Sequence, residues 1–171
     1  MNKHIIVING AGGVGKDTIV EMVSKYRTVS NIDSVAIVKK VAKELGWNGE
    51  KDEASRLFLS ELKKLADRHF DHSNRYLVNQ IKTFMASDQE VAFVHIREPL
   101  LIEKFNLSCA IMGLNSINML VTNSNVEKVT SNDSDKNVSC YEYDIYLSND
   151  GTLEELEDKV KDFVETLLCR G

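Results

Sequence analysis

The chain has 171 residues, of which 43% are hydrophobic and 27% charged, and its net charge is −5. That length suits one compact domain able to bury a sizeable core. The acidic balance argues against a general nucleic-acid-binding surface, which needs a basic patch; Cys109, Cys140 and Cys169 stand far apart without C-x-x-C spacing, so neither a disulfide framework nor a zinc site is indicated and a cytoplasmic location is expected.

The first apolar run, Ile5 to Ile8, is too short for a signal peptide or a membrane span, and no later stretch is long enough to cross a bilayer. Lys3 to Asn9 reads instead as a buried strand, a short β-branched run ended by glycines. Gly15 to Tyr26 reads as a helix with Ile19, Val20 and Val23 on one stripe. Ser34 to Val38 is the second strand candidate, and Val41 to Leu45 a helical turn stopped by Gly46. The stretch "EASRLFLSELKKLADRHF" is amphipathic, with Leu57, Phe58, Glu61, Leu62 and Leu65 along one side, and a further helix is expected over Asn74 to Met85. Gln89 to Ile96 is the clearest interior strand; Ser116 to Val121 and Tyr143 to Leu147 are further ones. Residues 122–140 between these last two are polar and poor in hydrophobic anchors. A closing helix from Thr152 to about Leu168 is expected, capped by the Asn-Asp-Gly turn at Asn149 to Gly151. Strands alternating with helices imply βαβ units and a mostly parallel sheet, and nothing marks a linker, a repeat or a second domain.

The chemistry concentrates in "GAGGVGKDT". Gly10, Gly12, Gly13 and Gly15 let successive backbone amides turn toward an anion, with Val14 inside the same loop. The helix that follows adds its positive end. Lys16 is placed to reach the β- and γ-phosphates of a nucleotide, and Thr18 to donate to a phosphate oxygen. The loop follows a predicted strand and opens a predicted helix, which is the context this phosphate-binding motif requires. Gly10, Gly12 and Gly15 also fit the dinucleotide fingerprint, but the lysine directly after them favours a mononucleotide. Asp17 stands where a magnesium-binding hydroxyl is usual. A carboxylate there can hold the metal directly or through water; it can also simply favour the helix start electrostatically.

On four features, the chain resembles the P-loop nucleoside monophosphate kinase superfamily, and most of all the phage-type deoxynucleoside monophosphate kinases and their bacterial relatives. They are the GKD loop at Gly13 to Thr18; "GWNGEKDEASRLFLSELKKL" at Gly46 to Leu65; "VHIREP" at Val94 to Pro99; and "YDIYLSNDGTLEEL" at Tyr143 to Leu156. The resemblance implies a three-layer α/β fold with about five mostly parallel strands and helices on both faces. It implies a single domain with an acceptor-binding helical region at about 46–87 and a lid-like segment at about 122–140. It implies ATP and Mg2+ as cofactors and a small phosphorylated acceptor, such as a nucleoside monophosphate, with no nucleic-acid or membrane partner; monomer and homodimer are both compatible with it. Lys16 and Thr18 then hold donor phosphates, Asp17 the metal, and Arg97 and Arg56 the acceptor phosphate. Arg68 and Arg75 are weaker acceptor candidates, and Trp47 either lines the acceptor pocket or packs beside its turn. Two departures stand out. His95 occupies the place of the family's aspartate, where it either hydrogen-bonds a phosphate or simply ends the strand; Glu98 is the nearest carboxylate. The lid has no arginine, leaving Lys128 and Lys136, of which Lys136 is the better ATP-binding cation. The other reading the residues leave open is a nucleotide-binding sensor on the same fold.

Overall fold

The computed structural model describes residues 3–50, 52–126 and 141–168. In chain order the elements are β1 (His4–Asn9), α1 (Lys16–Ser24), β2 (Val29–Asp33), α2 (Ala36–Glu44), α3 (Glu53–Phe70), α4 (His72–Ala86), β3 (Val91–His95), α5 (Pro99–Ile111), β4 (Ser116–Thr122), β5 (Ile145–Ser148) and α6 (Leu153–Phe163), which runs on as a π-helical turn over Val164–Leu168. The five strands form one parallel sheet in the order β2-β3-β1-β4-β5.

β1 lies between two neighbours and under two helical layers, so its residues are apolar on both faces. Ile6 and Ile8 pack with α1 and α6 through Ile19, Val23, Leu156 and Val160, whereas Ile5 and Val7 pack with α4 and α5 through Leu77, Ile81, Ile102 and Phe105. The three-layer α/β arrangement is the one the sequence implies. Among the described residues no helix is long and apolar enough to cross a membrane.

The second strand differs from expectation. It is Val29–Asp33, while Ala36 to Val38 open a helix in which Val38 and Ala42, four residues apart, are the buried pair. β2 is an edge strand with Ile32 as its one buried residue, so it lacks the apolar run that marks an interior strand. Helix α5 was not visible as a period because apolar residues surround it: Ile102, Phe105 and Cys109 are buried, and Leu100, Leu107 and Ile111 are exposed. Its readable marks are Pro99 in the first turn and Gly113, at φ 73°, just past its end. On α3 the expected stripe exists but faces out. Leu57, Phe58 and Leu65 are 60%, 36% and 54% exposed, and the packed side carries Ser55 and Lys63. The closing helix is capped by Thr152, whose hydroxyl accepts from the Glu155 amide while Glu155 reaches back to the Thr152 amide, rather than by the preceding turn.

Lys3 fastens the amino end of β1 to the neighbouring layer. Its ammonium donates to the carbonyls of Phe84, Ser87 and Gln89 at 2.8, 2.6 and 2.8 Å and lies 4.6 Å from the centre of the Phe84 ring. It thereby gathers three carbonyls at and just beyond the end of α4 onto one ammonium. Lys3→Met is expected to lower stability by about 1–3 kcal/mol, read as a shift of the urea midpoint with nucleotide affinity unchanged.

Candidate functional site

The connections from β1 and β3 leave the sheet in opposite directions, β1 toward β2 and β3 across to β4. A crevice therefore opens outside the carboxyl ends of these adjacent strands, where open α/β sheets place ligands. Both candidate loops meet there.

The first is residues 10–15. Gly10 has φ 145°, and a Cβ on it would collide with the Val121 carbonyl; Gly15 has φ 100°, and a Cβ on it would collide with the Asn149 amide. No L side chain fits at either position without strain. Asn149 Nδ2 also donates to the Val14 carbonyl at 3.0 Å, so the turn before α6 clasps the loop from outside. Gly15 caps α1 without a side chain, leaving the first-turn amides to an anion. Lys16 folds over the loop, its Nζ 2.6 Å from the Gly10 carbonyl and 2.7 Å from that of Ala11. The ammonium is thus already held above the loop. Asp17 is exposed in the first turn and Thr18 is half-buried beside it.

The second loop leaves β3. Asn9, fully buried at the end of β1, joins it to the first. Its Nδ2 donates to the Arg97 carbonyl at 3.2 Å and to the Tyr143 hydroxyl at 2.7 Å, and its Oδ1 accepts from the Gly10 amide at 2.7 Å. One carboxamide therefore fixes the glycine loop, the Arg97 backbone and the chain entering β5. Burial pushes the Tyr143 hydroxyl up to about 12, so it stays a neutral hydrogen-bonding group. Arg97 itself is exposed on the loop that leaves β3.

His95, the last residue of β3, is largely buried, and its Nε2 is enclosed without a hydrogen-bond partner. Burial drives the ring below the ordinary histidine range; Asp17 and Asp33 pull it back up and Lys16 and Arg97 push it down. The net result is a neutral imidazole at neutral pH.

Helix α3 reaches this region through a residue the sequence reading passed over. Lys63 is buried, and its Nζ lies 3.2 Å from Glu98 and 3.0 Å from Asp67. Asp67 in turn accepts from the Ser73 amide at 2.7 Å and the Ser73 hydroxyl at 3.0 Å. The readable signal was a lysine eight residues after Ser55 on the packed side of α3. Asp33 does not stand out in the sequence either, because the strand-like residues are those after it, Ser34 to Val38, while it ends an edge strand. It pairs with His95 in the parallel ladder and accepts from Lys39 Nζ at 2.8 Å and the Val35 amide at 3.0 Å. Arg56, Arg68 and Arg75 are exposed on α3 and α4; Arg75 reaches the Phe70 carbonyl at 3.5 Å. Trp47 packs in its turn and donates to the Glu50 carbonyl at 3.2 Å. β4 ends at Thr122, and Lys128 and Lys136 lie outside the described residues.

Among the described residues no group of three or more His, Cys, Asp or Glu side chains could hold a metal. Asp17 alone fits the sparser mode in which Mg2+ takes one carboxylate, several waters and the oxygens of a bound phosphate.

Neither a protein-family model nor a curated protein matches the sequence, but solved structures do. Shikimate kinase from Bacteroides thetaiotaomicron is 13% identical with a TM-score of 0.52, covering 96% of this chain and 98% of that one. APS kinase from Mycobacterium tuberculosis, solved with AMPPNP and APS, is 14% identical with a TM-score of 0.56 over the same shares, 96% and 98%. The fold is that of the P-loop kinases. A tunicamycin resistance protein from Deinococcus radiodurans shares it at 11% identity and a TM-score of 0.60, covering 97% of this chain and 96% of that one. At these identities the likeness is one of fold.

Asn9→Ala is expected to strand the Gly10 amide and the Tyr143 hydroxyl and to cost about 1–3 kcal/mol in a denaturant titration. Asp67 supplies a pH signature. Burial alone would raise its carboxyl, but the Ser73 hydrogen bonds and Lys63 outweigh that and hold it below the usual carboxylate range. A depressed folded-state value stabilises above the ordinary aspartate pKa, about 3.9, and is lost as pH falls through the folded value. Wild-type stability should therefore drop on acidification below about pH 4, and Asp67→Asn should flatten that part of the curve.

Proposed function

We propose that this protein is an ATP- and magnesium-dependent kinase that transfers the γ-phosphoryl group to a nucleoside monophosphate or a similar small phosphorylated acceptor in the cytoplasm. One observation carries the reading: a glycine loop with its lysine in place and an arginine-bearing loop are tied to each other by Asn9 at the crevice where the sheet connections part. Phosphoryl transfer asks mainly for in-line positioning and positive charge, and this arrangement offers both.

In this reading the first-turn amides of α1 and the Lys16 ammonium take the donor phosphates, Lys16 exchanging the Gly10 and Ala11 carbonyls for phosphate oxygens. Thr18 donates to a phosphate oxygen, and Asp17 holds the metal. When bound, Mg2+ offsets charge on the donor phosphates. Arg97 faces the acceptor phosphate from the opposite loop and aligns it. The bond from the γ-phosphorus to its bridging oxygen breaks as one to the acceptor oxygen forms. Arg56, exposed on α3, becomes a second acceptor contact only if the acceptor reaches that helix; Lys63 and Glu98, which join α3 to the Arg97 loop, are the better-supported link. A cation from the segment that includes Lys136 completes the donor side.

A nucleotide-binding sensor is the competing reading, favoured by one observation. Residues 123–126, directly after β4, contain no arginine or lysine to stabilise a transferring phosphoryl.

A coupled ADP-release assay across a panel of monophosphates separates the two. A kinase gives acceptor-stimulated turnover that Lys16→Ala lowers by about 100-fold or more and for which Arg97→Ala lowers kcat/KM by about 10- to 100-fold. Nucleotide binding with turnover no higher than in the Lys16→Ala protein would leave the sensor.

A further inference from the structure

The direction of the His95 side chain follows from the strand that carries it. Side chains alternate along β3. Ala92 and Val94 pack in the layer with α4 and α5, whereas Val91 and Phe93 pack with α1 through Ile19, Val20 and Val23. His95, two residues beyond Phe93, therefore points to the α1 side, where α1 begins with Lys16 and Asp17. The charges that reach the ring agree with this placement: Asp17 and Lys16 on α1, Asp33 on β2 and Arg97 on the following loop. Their signs balance, two of each.

In this balanced, largely dry setting the ring nitrogen Nε2 is enclosed without a hydrogen-bond partner. Buried polar groups are nearly always paired with protein, water or a ligand, so this nitrogen has a hydrogen bond left to give. The neighbouring Asn9 shows the contrast, since each polar atom of its side chain is bonded. Mg2+ prefers oxygen ligands, so a neutral imidazole here suits an N–H donated to an anionic oxygen better than a bond to the metal.

We infer that His95 is a phosphoryl-binding residue whose Nε2–H donates to the terminal phosphoryl group of a nucleoside triphosphate seated in the glycine loop. The assignment rests on the kinase or nucleotide-binding reading of that loop and goes further by naming a donor that neither the loop motif nor Arg97 supplies.

The test uses the full-length protein and three nucleotides, each with magnesium. With 15N-labelled histidine, AMPPNP should shift the Nε2 resonance of His95, assigned from its loss in His95→Leu, whereas ADP and AMP should not. By calorimetry, His95→Leu should weaken AMPPNP by about tenfold or more, the size of a hydrogen bond to a charged group, and leave ADP within twofold. His95→Gln, which places an amide N–H at a similar reach, should recover most of the loss. If wild type binds AMPPNP and Lys16→Ala does not, but the His95 resonance stays still or responds equally to ADP, the His95 assignment is overturned and the nucleotide reading stands. If wild type binds none of the nucleotides, both fall. Should His95→Leu fail to fold, the resonance is assigned from its loss in His95→Gln, and its response to AMPPNP but not to ADP decides the question.

Discussion

The site depends on one buried carboxamide. Asn9 closes the central strand at a depth where water does not reach, so each of its polar atoms needs a protein partner. The partners come from three separate stretches of chain: the amide that opens the glycine loop, the carbonyl of Arg97 and the hydroxyl of Tyr143. A leucine at this position would pack as well but would bind none of them. The polar residue exchanges some hydrophobic stabilisation for a fixed relation between two loops, a trade made by fully satisfied buried networks in general.

Around this point the charges are arranged in layers. Lys16 is held by neutral carbonyls, weaker partners than a phosphate, so an incoming anion can claim it. Lys63, by contrast, is committed. With two carboxylates at about 3 Å and little water, it braces α3 against the loop that carries Arg97 and is costly to disturb, because losing either partner would leave charge buried. One lysine thus rests on neutral carbonyls, and the other is fixed by carboxylates.

Much of this was legible in the sequence. The apolar run of β1, the glycines after it and the lysine that opens α1 form a local pattern, and local patterns follow from residue type and spacing alone. Arg97 could be placed because β3 is an interior strand whose end is clear. What failed to show was set by tertiary position. β2 lies at the sheet edge and buries only Ile32, so its pattern was too faint and Asp33 went unnoticed behind it. The apolar residues of α5 lie all round the helix and gave no period, and the outward stripe of α3 pointed away from the side that packs. Lys63 was invisible for a related reason: a lysine on a helix reads as solvated until the fold brings Glu98 beside it.

The clasp between the glycine loop and the turn before α6 joins positions 14 and 149, and the Asn9 bond to Tyr143 spans a similar separation of 134 residues. Contacts so distant along the chain close late, since the intervening loop entropy must be met first. During synthesis β1 and its glycines leave the ribosome well before Tyr143 and Asn149 exist to hold them. The glycine loop thus takes its final shape only after partners made more than 130 residues later are in place.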